Sequence, residues 1–194
     1  MWGLTVSGDT AYALFASGPG GYDAIYVRVS RDAGATFGPL VRVTDQPGFN
    51  SLRAFQASGD DLYLLWENSN SGGNRVYFRR SGDRGVTFSA PIDVGGDPYA
   101  LSPAIAVSGQ DVYVVWDSLG LPGGTLLRKS SDGGASFGPR VKLDIEDYAS
   151  VPSVAAAGAD VYVAWTGRAG LLVATREKEA EGRIKCQWCQ ASVI

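Results

Sequence analysis

Histidine is absent from all 194 residues, and no other feature of the sequence excludes as much. Without it neither a Ser-His-Asp nor a Cys-His catalytic arrangement can be assembled. Every His-ligated metal site goes with them. Cysteine is nearly as scarce: Cys186 and Cys189 both fall within the last nine residues, so no disulfide framework holds the rest of the chain. Their Cys-x-x-Cys spacing comes without the second pair or the histidines of a zinc site. Nor does it adjoin the βαβ pattern of a thioredoxin-like redox motif. No apolar run reaches the roughly 18 residues of a membrane-spanning helix. Met1–Val6 has neither the basic region nor the long apolar core of a signal peptide. A net charge of −3 and a pI near 4.9 speak against a nucleic-acid partner.

What the chain has in quantity is repetition. Ser30-Arg31-Asp32-Ala33-Gly34-Ala35-Thr36-Phe37 returns as Ser81-Gly82-Asp83-Arg84-Gly85-Val86-Thr87-Phe88 and again as Ser130-Ser131-Asp132-Gly133-Gly134-Ala135-Ser136-Phe137. A second phrase runs in phase, from Gly8 to Phe15, Gly59 to Trp66, Gly109 to Trp116 and Gly158 to Trp165. A period near fifty residues marks a solenoid or propeller. Four repeats are present, and the fourth lacks the Ser-x-Asp-x-Gly phrase. Each resolves into four short strand-like runs between turn residues. In the third repeat these are Ser102–Val107, Val112–Asp117, Thr125–Lys129 and Val141–Asp144. The 26 glycines suit many tight turns. The expected architecture is all-β, a β-propeller of about four four-stranded blades, closed as four or paired with a second chain into a larger ring.

The blades divide at about 1–46, 47–97, 98–147 and 148–187. Residues 177–194 form an atypical tail, of which 183–187 could supply the last outer strand. The abrupt entry at Met1 and the foreign character of the tail suggest an array of more blades cut at both ends, such as a cloned piece of environmental DNA. One face of the innermost strands carries Leu4, Phe55, Ile105 and Val154, expected to pack between sheets. The alternate face carries Gly3, Ala54, Ala104 and Ser153, expected to let strands crowd around a narrow axis. An unpaired last blade would expose an edge and favour a homodimer.

The Ser-x-Asp-x-Gly-x-Thr/Ser-Phe phrase resembles the Asp-box, or bacterial neuraminidase repeat, of sialidase-like propellers. The resemblance covers residues 1–176. It implies that each box is the turn between the third and fourth strands of a blade, on the face away from the family's active site. The residues suit that role. Asp32, Asp83 and Asp132 can accept main-chain N–H bonds. Gly34, Gly85 and Gly134 can take positive φ, and Phe37, Phe88 and Phe137 can plug the gap between sheets. The family's catalytic set is mostly missing: no Arg-Ile-Pro segment occurs, and no arginine triad can be placed. Sialidase activity is therefore not expected. Propellers of this family are commonly secreted, although this chain carries no export signal.

A ligand site is expected on the face opposite the boxes, built from second-to-third-strand loops and blade crossovers. Glu67 and Asp117 follow the repeated tryptophans there, where the other repeats have Ala16 and Thr166. Asp45, Asp97 and Asp147 recur in the crossovers, with Phe49, Tyr99 and Tyr148 close behind. Arg53 stands where Pro103 and Pro152 stand later, and Arg75 and Arg168 lie in neighbouring loops. These residues could bind a small polar molecule or glycan, or hold Ca²⁺ or another divalent cation through oxygen ligands. Glu67 and Asp117 could alternatively hydrolyse a glycosidic, ester or phosphoester bond. A purely structural or interaction repeat is the third reading.

Overall fold

The computed structural model describes residues 2–18, 22–120, 123–143, 150–167, 170–175 and 185–188. Among the described residues, sixteen strands form four antiparallel four-stranded sheets, each in sequential order, and there is no helix. The first blade is β1 (Trp2–Ser7), β2 (Thr10–Ser17), β3 (Ala24–Ser30) and β4 (Val41–Arg42). The second is β5 (Phe49–Ser58), β6 (Asp61–Asn70), β7 (Gly73–Ser81) and β8 (Ile92–Asp93). The third is β9 (Ala100–Ser108), β10 (Asp111–Ser118), β11 (Gly124–Ser130) and β12 (Val141–Lys142). The fourth is β13 (Ser150–Ala157), β14 (Asp160–Gly167), β15 (Gly170–Thr175) and β16 (Lys185–Trp188). The strands expected in the third repeat match within two residues at each end, apart from Asp144, which lies outside the described residues. Blades one and two make a compact unit, Met1–Pro98, and blades three and four make another, Tyr99–Ile194.

Strand identity follows from alternation. In β6, Leu62, Leu64 and Trp66 turn to one face and Tyr63 and Leu65 to the other, and all five are buried. A strand covered on both sides has no polar face to spare, which is why its run reads as almost continuously apolar. In the first unit, Tyr12, Leu14, Ile25 and Val27 of blade one pack against Leu52, Leu62, Leu64 and Trp66 of blade two. In the second unit, Tyr113, Val115 and Leu127 of blade three meet Val161, Val163 and Trp165 of blade four. At about 25 cal/mol per Å² of apolar surface, these interfaces are the main stabilising term of each unit.

Two expectations about the innermost strands change. Gly3 lies beneath the ring of Phe55 in the next blade, where an added Cβ would stand 2.2 Å from the ring. Smallness at this position admits the neighbouring blade's aromatic side chain. Leu4, expected between sheets, is instead exposed, as are Trp2 and Val6 on the same face of β1.

Candidate functional site at the loop end of the blades

Each blade has two ends. One end holds the β1–β2, β5–β6 and β9–β10 turns together with the three Ser-x-Asp-x-Gly boxes, and is called the box end. In the second box, Asp83 accepts the main-chain N–H groups of Val86 at 3.0 Å and Thr87 at 2.9 Å, and the Thr87 hydroxyl at 2.5 Å. The Ser81 hydroxyl donates to Asp83 at 2.7 Å and accepts the Gly85 N–H at 2.8 Å. Asp32 and Asp132 repeat this with Ser30 and Thr36, and with Ser130 and Ser136. Hydrogen bonds that favour the charged form hold these carboxyls low. Asp83 falls to about 2, chiefly through the Thr87 hydroxyl and amide, and Asp32 to about 2, chiefly through Ser30. Asp132 is lowered mainly by Ser130.

The box also binds its own blade. Ala33, Arg84 and Gly133 donate main-chain N–H bonds to the carbonyls of Asp9, Asp60 and Gln110, stapling the box to the first hairpin. Gly34, Gly85 and Gly134 have positive φ as expected, but so do Ala33 at 55° and Arg84 at 58°, one residue earlier. Two left-handed residues in succession are costly for a non-glycine, and the third box relieves this with Gly133. Phe88 packs against the first unit's core, whereas Phe37, expected to do the same, is 40% exposed. Phe137 is half-buried. A polar cavity of about 380 Å³ opens here, lined in part by Asp9, Arg31, Asp60 and Arg84. Arg84 is ion-paired to Asp60 at 2.6 Å.

The loop end is built differently. In blades two, three and four the innermost strand carries a bulge near this end, at Leu52/Ala54, before Ala104, and between Ser150 and Ser153. Arg53, Pro103 and Pro152 occupy it; proline is tolerated at bulges because no ladder N–H is required. Ser102 and Val151 take positive φ in the same bulges. Both singled-out carboxylates serve these irregularities. Glu67 is buried and its Oε2 meets Arg53 Nη2 at 2.6 Å, tying the bulged residue back to β6. Asp117 is buried and accepts the Val151 N–H at 2.8 Å, holding the bulge of the following blade.

The crossover into blade two is fixed by amides that the sequence pattern did not signal. Buried Asn50 donates to the carbonyls of Asp23, Gln46 and Gly48. Buried Asn68 donates to Pro47 O at 3.1 Å and to Asn50 Oδ1 at 3.0 Å, and Asn70 donates to Asn68 Oδ1 at 2.8 Å. Gly48, at φ +117°, passes so close to β6 that a Cβ would stand 2.6 Å from the Ser69 carbonyl. The network carries Phe49 to the surface, 46% exposed, with Tyr22 tilted against it at 4.3 Å between ring centroids. Asparagine at 50, 68 and 70 occurs in this repeat only, so periodicity could not point to it. Only the clustering of Asn68-Ser69-Asn70 beside a Gly-Gly turn was visible.

The other singled-out residues have partners of their own. Arg75 is bound to Asp93 at 2.6 Å, which raises its pKa further, and Asp93 also accepts the Gly96 N–H. Asp45 faces Arg79 at 3.4 Å. Asp97 is half-buried and adds to the negative field at Arg75. Tyr99 is 53% exposed, its carbonyl accepting the Leu119 N–H. Asp147, Tyr148, Arg168 and Cys189 lie outside the described residues. Among the described residues, no group of three or more metal-ligating side chains comes together.

No protein-family model matches this chain, and no curated protein does. Solved structures do. A protein of unknown function from Dyadobacter fermentans matches 92% of this chain over 60% of its own length, at 17% identity and a TM-score of 0.62. A Hadza microbial sialidase matches 91% over 44% of its length, at 13% identity and a TM-score of 0.58. A xylan β-1,4-xylosidase from Bacillus halodurans matches 96% over 41% of its length, at 14% identity and a TM-score of 0.51. The chain thus spans less than two thirds of each. Identities this low carry the fold alone, and with the four sheets they establish it: the chain is an all-β assembly of four β-propeller blades.

Proposed function

We propose that this chain is a carbohydrate-binding propeller module whose ligand rests at the loop end, with Phe49 and Tyr22 as the platform. The observation that carries this is the mounting of an exposed ring, Phe49, tilted against the half-buried Tyr22 on a buried, hydrogen-bonded amide network. Stable presentation of ring surface to solvent suits the apolar face of a sugar, while the exposed Asn70 amide and the exposed part of Arg53 can meet its hydroxyls. Tyr99 is the corresponding ring at the next crossover.

Hydrolysis is the second reading, favoured by the likeness to structures described as a sialidase and a xylosidase. It requires two carboxyl groups free to exchange protons with substrate. Glu67 is engaged with Arg53 and Asp117 with the Val151 amide, an arrangement that fits anchoring better than proton transfer.

Calorimetry against xylo-oligosaccharides and sialosides, followed by a wider glycan array, tests the proposal. Binding that Phe49→Ala abolishes and Glu67→Gln leaves intact is the expected result. Turnover of a chromogenic glycoside that Glu67→Gln removes would establish the hydrolase reading instead. No glycan bound by the wild type would defeat the binding reading.

A further inference from the structure

The first blade presents a face that the rest of the repeat uses for burial. On β1 and β2 the register places Trp2 opposite Phe15, Leu4 opposite Ala13 and Val6 opposite Ala11. Trp2, Leu4 and Val6 are 80%, 66% and 68% exposed. In the second blade the same register places Leu52 opposite Trp66 and Phe55 opposite Leu64. There Leu52, Leu64 and Trp66 are wholly buried against blade one. The repeat builds one kind of face twice in this unit and covers it once.

Two further side chains on that face are in the same condition. Arg28 pairs in register with Ala13, as Arg79 pairs with Leu64. Arg79 reaches across to the preceding blade, donating to the Val43 carbonyl and meeting Asp45. The Arg28 side chain is exposed and makes no hydrogen bond or ion pair among the described residues. Phe37 of the first box is 40% exposed, whereas Phe88 of the second packs into the interface between blades one and two.

The chain also carries the complementary kind of face without cover. Tyr162 of the fourth blade is 48% exposed, although Tyr12, Tyr63 and Tyr113 at the same place in the other blades are buried. Ser153 and Ala155 beside it are exposed as well. Ser153 takes the position of Gly3, which in blade one receives the ring of Phe55. A bulky face and a small-residue face of matching register are thus both open on one molecule.

We propose that the outward face of the first blade docks the fourth-blade face of a second copy of this chain, repeating between molecules the packing already present within each unit. The contact is heterologous, so two copies satisfy both faces only by closing on one another. Large exposed apolar patches of this kind mark association surfaces.

Size-exclusion chromatography with light scattering on the full chain is the test. A mass near twice the 20.4 kDa of one chain is expected. Leu4→Glu and Ala155→Glu, each folded by circular dichroism, should each lower the self-association at least tenfold. Mixing those two variants should restore a two-chain species, because one intact interface survives between them. Arg28→Glu offers a milder version that leaves the apolar surface untouched and should still weaken association. A single-chain mass at every concentration would overturn the proposal. So would a dimer indifferent to all three substitutions, or one that mixing fails to rescue.

Discussion

The box end and the loop end of the same blades obey opposite rules. At the box end three copies of one turn repeat nearly atom for atom, and each box aspartate is consumed by its own turn. At the loop end each blade differs: Ala16, Glu67, Asp117 and Thr166 share one repeat position, and the asparagine network exists in blade two alone. Identity across repeats reflects a structural demand that every blade makes. Departure from the repeat marks where one blade does something the others do not, so the loop end is where recognition is expected.

The contrast can be broken at either end. The largest effect is expected from Gly48→Val, which places a β-branched side chain at φ +117° and drives a Cβ against the Ser69 carbonyl. A loss of about 3 kcal/mol in denaturant unfolding should follow. Asn68→Ala leaves the Pro47 carbonyl and Asn50 side chain without their donor, and about 2 kcal/mol should be lost. Asp83→Ala removes the acceptor of an exposed turn that water can partly satisfy, so a smaller loss of about 1 kcal/mol is expected. If Asp83→Ala exceeded Asn68→Ala, the ranking of the two ends would fail.

Acid sharpens the same comparison. The box carboxyls have folded pKa values depressed below the ordinary 3.8, to about 2 for Asp32 and Asp83. Their contribution is therefore complete above the unfolded value and is lost as pH falls through about 2. Thermal midpoints should drop between pH 4 and 2, and Asp83→Asn should flatten that drop. An unchanged slope in Asp83→Asn would mean that other carboxyls govern acid unfolding.

The repeat made the fold legible. Period, strand count and the place of the turn between third and fourth strands all follow from residues that recur, since recurrence exposes which positions the backbone constrains. Pro103 and Pro152, standing where Arg53 stands, were visible as a repeat position, but that the position is a bulge came only from the strand registers. The candidate site was legible only in part. Glu67 and Asp117 broke the repeat and so drew notice, but their partners, Arg53 and the Val151 amide, depend on how a bulge redirects a strand. Asn50 and Asn68 lie eighteen residues apart in sequence and meet only because β5 and β6 pair. No periodicity announces a contact that occurs once. Leu4 was misjudged for a related reason: repeat logic predicts the type of a face, not whether a neighbour covers it.

The central claim, that recognition belongs to the variable loop end, rests most directly on glycan affinity measured side by side for Phe49→Ala and Arg84→Ala. The first removes an exposed ring at the loop end, and the second removes a cation from the cavity at the box end. Both should fold with unfolding midpoints close to that of the wild type. Loss of binding in Phe49→Ala with affinity retained in Arg84→Ala is the predicted result. Binding that survives Phe49→Ala and disappears in Arg84→Ala would contradict the account and move the site to the box end.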